Sequence, residues 1–499
     1  MADTATTATT ATTATSATIA TIATNAAPPA RRIADLPGPR PWPLVGNLLQ
    51  LRPLRFHQDV EAWCRQYGTL FRMTFGPKHV LVVADHQLVT VVLRDRPDGF
   101  RRPALTEQIA KEMKGRPGVF LEEGAVWREQ RRMVMAALAP HAVKAYFPAL
   151  VTVAQRLRRR WQAAANSNTP IDLADDLKRY SVDIVAGLAF GTEVNTIDGG
   201  EDVLQRHMDA ILPAVSKRSL SLFPYWRYVK LPADRQLERS IAALNTAIDG
   251  LIAAARARLA LDPARRQRPA NLLEAMICAA EEGGRGVDED AVAGNVTTML
   301  LAGEDTTSHT LAWMWYLLQQ NPAALQAARD EVARVAPDPA AFTIEQMDAL
   351  DYIDACAQEA MRLKPVAPYI PLEALRDSVV GDVAVPAGGL VWLVMRHDSV
   401  SDDHVARAAQ FDPARWLPDA PPGAMSKQVS MPFGAGVRTC PGRYLALLEI
   451  KIATAMLLAS FDIAAIDTAD GAAPEELSGF TMSPVGLRMQ LRPASSLHG

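Results

Sequence analysis

From about residue 120 onward, apolar residues recur at helical spacing, in the stretches 124–139, 143–164, 171–190, 238–261 and 269–282. Each stretch predicts an amphipathic helix with one face in a core. Ahead of them, Thr69-Leu-Phe-Arg-Met-Thr-Phe alternates and His79-Val-Leu-Val-Val-Ala is rich in β-branched residues. A small sheet is therefore expected near the N-terminus. Short strands are expected again at 379–385, 389–395 and 480–491. The longest unbroken pattern starts at Gly286-Val-Asp288 and stops at Asn321-Pro322. It amounts to roughly 33 residues, or about 50 Å of helix. It is apolar over so much of its surface that it belongs in the centre of the fold. Thr343-Ile-Glu-Gln346 reads as a capping box, followed by a helix carrying Leu350, Ile353, Cys356 and Ala360 and ending at Lys364-Pro365. The expected architecture is mainly α with small peripheral β-sheets, and there is no internal repeat.

Three segments fall outside these periods. Residues 1–30 are an Ala/Thr-rich tract without the composition of a packed core or a membrane span, and a disordered tail is expected. Leu36-Pro-Gly-Pro-Arg-Pro-Trp-Pro-Leu-Val-Gly46 is stiffened by its prolines into an extended lead-in to the first helix. The run from Asp95 to Gly124 has no clean period and reads either as a surface excursion or as a long loop covering a site. Net charge is -3, from 52 basic and 55 acidic residues, so nothing points to nucleic acid. Cys64, Cys278, Cys356 and Cys440 are far apart and form no C-x-x-C pair. That argues against a structural zinc site or a disulfide framework and suits a reducing cytoplasm.

Four constellations carry chemistry. In Met431-Pro-Phe-Gly-Ala-Gly-Val-Arg-Thr-Cys440-Pro-Gly-Arg443, glycines permit a tight turn and Pro441 suits the first residue of a helix. Cys440 is then expected at a helix N-terminus, a setting that lowers a thiol pKa. Arg438 adds a cation, and Gly442 leaves room for a flat partner. Alone, this describes a metal ligand, a redox thiol or a nucleophile. In the long helix, Ala302-Gly-Glu-Asp-Thr-Thr307 combines a glycine that serves either packing or ligand approach, an acid, and a Thr306 hydroxyl able to bond the helix ladder and bend it. Glu359 and Arg362 share a helix face, and Arg415 can complete a bidentate network if they are buried. Trp127 and Arg131, one helical turn apart, offer an N–H and a guanidinium suited to carboxylates or phosphates.

In this order, W-x-x-x-R, A-G-x-D-T-T, E-x-x-R and F-x-x-G-x-R-x-C-x-G resemble the motifs of the cytochrome P-450 family, from about residue 31 to the end. The resemblance implies one catalytic domain over 31–499, a triangular α-rich prism with haem b (iron protoporphyrin IX) between the long central helix and the Cys-loop helix. Cys440 is implied as the thiolate ligand of the haem iron, with Phe433 packed beside it and Gly442 against the haem. Arg438, Trp127 and Arg131 are implied as partners of the haem propionates. Asp305 and Thr306 are implied as the acid–alcohol pair of oxygen activation, and Glu359, Arg362 and Arg415 as the brace of the haem-binding loop. The implied reaction is O2-dependent monooxygenation of a hydrophobic organic substrate, by hydroxylation or epoxidation. A peroxygenase or isomerase, and a non-catalytic haem gas sensor, are the alternatives.

One position departs from the pattern. Leu372 stands where many members place a propionate-binding Arg or His, which leaves propionate pairing to Trp127, Arg131 and Arg438 or to the nearby Arg396 and His397. Substrate contacts are expected from 95–120, the region around 205–225, Ala302, Val366, Ile370 and Met482. Electrons are expected from a separate ferredoxin or flavodoxin with its NAD(P)H-driven reductase, docking on Arg128, Arg132, Lys427 and Arg443. A monomeric cytoplasmic enzyme without a transmembrane anchor is the expected setting.

Overall fold

The computed structural model describes residues 30–191, 195–199, 207–208, 210–219, 221, 223–282, 288–421 and 429–493. The N-terminal Ala/Thr tract up to residue 29, Lys427 and part of 205–225 lie outside them. The first helix is Phe56–Tyr67, entered through the proline-rich segment, whose Trp42 and Gly46 pair with each other. The expected pair of early strands forms at Leu70–Phe75 and Lys78–Val83. They belong to a five-stranded sheet in the spatial order Leu70–Phe75, Lys78–Val83, Leu390–Val394, Tyr369–Ala374, Phe100–Arg101. Only the Lys78–Val83 and Leu390–Val394 neighbours are parallel. Residues Leu81 and Val83 enter one apolar cluster and Val80 and Val82 another. Both faces are covered, which is why this strand reads as a continuous apolar run.

The rest is mostly helical. Asp288 caps the central helix Glu289–Gln320 by accepting from the Ala291 N–H at 2.8 Å, with Glu289 and Asp290 in the first turn. Asp172 caps Leu173–Phe190 in the same way, and Gly191 ends it in the left-handed region at φ 61°. These two helices pack closely. A Cβ on Gly303 would sit 2.6 Å from Val185 Cγ2. Gly303 therefore serves helix packing rather than the approach of a ligand. The helix is unbroken from 302 to 307.

Other boundaries moved. The capping box at Thr343 and Gln346 opens a separate short helix, Ile344–Asp348, and the E-x-x-R helix is Asp351–Leu363. The aperiodic stretch 95–124 holds a helix of its own, Ala104–Glu112. Among the described residues no single helix is long and apolar enough to cross a membrane.

Glu359 and Arg362 are fully buried. Arg362 donates to both Glu359 oxygens at 2.8 and 2.7 Å, and to the carbonyls of Ser399, Ala408 and Gln410 at 2.6, 2.7 and 3.0 Å. All five of its N–H donors are thereby used. Glu359 also accepts from Arg415 at 3.3 Å, Trp416 Nε1 at 2.9 Å and the Asp412 N–H at 3.0 Å. This single network fixes the irregular chain from 399 to 416. Arg362→Ala leaves Glu359 charged in the interior, and a loss on the order of 3–5 kcal/mol is expected. Denaturant unfolding of the two proteins checks it; a loss below about 1 kcal/mol, the scale of an exposed pair, would show that the network does not bear on stability.

Candidate active site

The Cys440 loop is closed by its own backbone. The Cys440 N–H donates to the Phe433 carbonyl at 2.9 Å, and the Gly434 N–H to Met431 at 2.9 Å. Gly436 has φ 71°, and a Cβ there would lie 2.9 Å from the Leu93 carbonyl oxygen, so only glycine fits. The loop rests on helix His86–Arg94 at that point. The following helix is Arg443–Ser460, capped at Gly442. Pro441 is therefore not its first residue, and Cys440 stands just ahead of the helix rather than in its first turn. Cys440 is exposed overall, yet its sulfur is crowded by protein atoms. That crowding pushes its thiol pKa up, against the Gly442 N–H and the Arg131 and Arg443 cations that pull it down. The expected depressed pKa is thus not a property of the loop alone. Coordination to a metal ion would deprotonate the thiol outright. A Cβ on Gly442 would come within 3.9 Å of this sulfur. Arg443 lies 5.6 Å over the Phe433 ring.

Beside the loop lies a concentration of positive charge. Arg438 stacks 3.9 Å over the Trp127 ring and donates to Val119 and Glu122 carbonyls and to Glu123. Arg131 donates to the Thr439 carbonyl. Arg96 and Arg102, neither of them singled out by motif, join the group. Arg102 sits 3.3 Å over the Phe120 ring and donates to its carbonyl at 2.7 Å. Burial, with Arg96 and Arg438 close by, pushes Arg102 well below the usual guanidinium range, and Arg438 is pushed down to about 10, by burial first. The anion facing most of them is Glu123. Four buried donor atoms here have no hydrogen-bond partner: Nε and an Nη of Arg96, Nε of Arg438 and Nε1 of Trp127. Buried polar atoms are rarely left this way, and the set fits the carboxylates of haem. Leu372 is buried in its strand. Arg396 is committed to Glu61 at 2.8 and 2.9 Å and to Glu476 at 2.9 Å, and His397 Nδ1 to Asp398 at 2.9 Å. Neither of those two fills the place of a propionate residue. The only hint of Arg96 and Arg102 in the sequence was the density of arginine in the unassigned stretch 94–102.

On the opposite side, the central helix faces an apolar cavity. Its lining includes Met113, Phe120, Leu121, Ile211, Thr297, Thr298, Leu301, Ala302 and Phe480. The expected contributions of 95–120, of the helix Ile211–Ser219 and of Ala302 are present. Val366, Ile370 and Met482 are not in this lining; Met482 is fully buried and its N–H donates to the Val366 carbonyl at 2.8 Å. Asn295 ties the central helix to the chain just before Phe120, accepting from the Val119 N–H at 2.8 Å and donating to Gln130 at 2.9 Å. Thr306 donates to the Ala302 carbonyl at 2.7 Å, one turn from the cavity wall. Asp305 pairs with Lys178 at 3.2 Å, and His309 Nε2 lies 3.9 Å from it. Burial pushes His309 down to about 4, with Asp305 raising and Lys178 lowering it, so its imidazole is neutral near pH 7. Its Nδ1 lies 3.2 Å from the Thr481 hydroxyl. Lys178 and His309 were not foreseen: Lys178 comes from a distant helix, whereas His309, four residues after Asp305, stands on the same helix face.

A family model described as Cytochrome P-450 matches residues 36–491. Protein LUTEIN DEFICIENT 5, chloroplastic, of Arabidopsis thaliana is 26% identical over 445 residues, 87% of this chain and 73% of that protein. A self-sufficient cytochrome P-450 monooxygenase of Penicillium expansum is 28% identical over 459 residues, 87% of this chain and 41% of the relative. A bifunctional cytochrome P-450/NADPH–P-450 reductase of Gibberella moniliformis is 26% identical over 92% of this chain and 40% of its own length. The chain thus spans about two fifths of these two longer relatives. Among solved structures, the haem domain of a cytochrome P-450DA mutant superposes with a TM-score of 0.80 at 25% identity, covering 92% of this chain and 98% of that one.

If the unpartnered donors hold haem carboxylates, Arg96→Gln removes a charge-assisted hydrogen bond of about 1.5–3 kcal/mol. Haem transfer to an excess of a haem-scavenging protein is then expected to be roughly ten- to a hundredfold faster than from the wild type. Equal rates would remove Arg96 from the site.

Proposed function

Because this chain belongs to the cytochrome P-450 family of haem-thiolate monooxygenases, we propose that it inserts one oxygen atom from O2 into a hydrophobic organic substrate, by hydroxylation or epoxidation. The reading covers one catalytic domain from about residue 31 and a monomeric cytoplasmic enzyme. The observation that carries it is Cys440 on its glycine-bounded loop, beside arginine and indole N–H atoms that are buried without a hydrogen-bond partner. Haem b would be held by Cys440 at its iron and by Trp127, Arg131, Arg438, Arg96 and Arg102 at its carboxylates, with Phe433 and Gly442 shaping the contact. When bound, the haem supplies oxygen activation, and thiolate ligation favours O–O cleavage.

The protein's own part is binding, orientation and proton supply. The apolar cavity takes the substrate and strips its water. The Thr306 hydroxyl, anchored on Ala302, positions a water or an oxygen atom beside that cavity. Asp305, held by Lys178, passes protons toward it. His309, neutral and bonded to Thr481, is able to receive and return a proton on the same side. Glu359, Arg362 and Arg415 keep the loop in register from the other side.

Electrons are proposed to come from an NAD(P)H-driven donor, a ferredoxin or flavodoxin with its reductase, or a reductase joined to the chain as the names of the longer relatives suggest. The proximal charges are partly spoken for. Arg128 pairs with Asp98 at 2.6 Å and Arg132 with Glu129 at 2.7 Å, which leaves Arg443 as the more available of these cations among the described residues.

The reduced, carbon monoxide-bound protein is expected to show the red-shifted Soret band of a thiolate complex, and Cys440→Ser to lose it. A wild-type protein without that band would end this reading. Thr306→Ala is expected to lower product formed per NAD(P)H on the order of a hundredfold, with O2 consumption continuing; unchanged coupling would take Thr306 out of proton delivery.

A further inference from the structure

A second cluster of ligating side chains lies away from the haem region and takes no part in the chemistry above. His86 begins helix His86–Arg94, and Asp398 and His404 lie in the irregular chain after strand Leu390–Val394. His86 Nδ1 is 2.8 Å from Asp398 Oδ2, and His404 Nε2 is 3.6 Å from the same oxygen. The two imidazole rings stand 4.9 Å apart at 71°. One ligand atom from each of the three residues lies within 4.8 Å of the other two. We propose that His86, Asp398 and His404 form a binding site for a divalent transition ion of the zinc type, clamping helix His86–Arg94 to the 398–404 segment.

The donor set selects the ion class. Two imidazoles and one carboxylate suit zinc and its first-row neighbours, and not calcium or magnesium, which require oxygen shells. Bonds of about 2.0–2.1 Å in a tetrahedron place neighbouring ligand atoms about 3.3 Å apart. The two measured separations, 2.8 and 3.6 Å, bracket that value. Binding the ion requires the His86 ring to present Nδ1 without a proton and the two rings to close slightly. The fixed and the adjustable ligands are suitably divided. The Asp398 side chain is 3% exposed, whereas that of His404 is 35% exposed and free to swing inward. Its exposure also gives an entry path and room for a water as fourth ligand.

The carboxylate is already oriented from outside the ligand set. The His86 backbone N–H donates to Asp398 Oδ2 at 2.8 Å, and His397 Nδ1 lies 2.9 Å from Oδ1. Such outer partners hold ligating groups in metal sites. A carboxylate placed only to cap the helix would not need three imidazoles gathered on it. The placement gives the clamp a consequence. Asp398 adjoins Ser399, whose carbonyl takes an Arg362 N–H at 2.6 Å. The far end of helix His86–Arg94 is the surface that Gly436 of the Cys440 loop touches. One ion would join the support of that loop to the brace of the 399–416 segment.

The test uses the haem-loaded full chain, so that Cys440 is not available to the added metal. After incubation with zinc chloride and dialysis, elemental analysis is expected to find one zinc per wild-type chain and none in His404→Ala. His404→Cys, which restores a zinc ligand, is expected to regain the ion. Thermal unfolding is expected to move upward with zinc for the wild type and His404→Cys, and to stay unchanged for His404→Ala. His404 is exposed, so its replacement leaves the core intact. Zinc retained equally by wild type and His404→Ala, or by neither, would overturn the proposal.

Discussion

Arg362 is buried with every N–H donor occupied, and much of the irregular chain behind the reactive loop depends on that arrangement. Irregular backbone lacks a ladder of its own, so carbonyls that turn inward need donors from elsewhere. One guanidinium answers three of them, and the Glu359 carboxylate compensates its charge while collecting Arg415, Trp416 and the Asp412 N–H. A lysine could not do this, having neither the planar fork nor five donors. The 399–416 segment is therefore tied at several points to two side chains of one helix.

The haem-side cluster follows the opposite logic. Arg96, Arg102 and Arg438 gather around Glu123 with Arg131 beside Arg438, in a setting where burial works against all four charges. Such a group is costly in a finished core, because like charges repel strongly where water is excluded. With an anionic partner the same arrangement becomes favourable, since each unused donor gains a charge-assisted bond. Loop and cluster are linked through Arg131 on Thr439 and Arg438 on the 119–123 segment. Binding at the carboxylate end thus bears directly on the position of Cys440.

The central helix has to satisfy two neighbours at once. At Gly294 and Gly303 it gives up side chains so that the Pro117 carbonyl and Val185 can press against it. Between these points Thr297, Thr298, Leu301 and Ala302 open onto the cavity. Thr306 bonds back to Ala302 without interrupting the helix, so its hydroxyl is held in place by the same ladder it decorates.

The mostly helical architecture, the buried central helix and the four motifs are legible along the chain, because each rests on local periodicity or on residues close together in it. Glu359 and Arg362 are three apart, and Trp127 and Arg131 four, so a helix alone puts them on one face. The sequence also left errors of a local kind, such as Pro441 taken as the helix start and one helix read where the capping box begins a separate turn. Contacts between distant segments came from the folded arrangement alone. It showed that Gly303 faces Val185, that Arg396 belongs to Glu61 and Glu476, and that Arg96 and Arg102 gather with Arg438. It also brought His86 to Asp398 across 312 positions of chain. Pairings of this length depend on how helices and sheet pack, and packing is set by shape and burial over the whole core rather than by any spacing visible along one stretch.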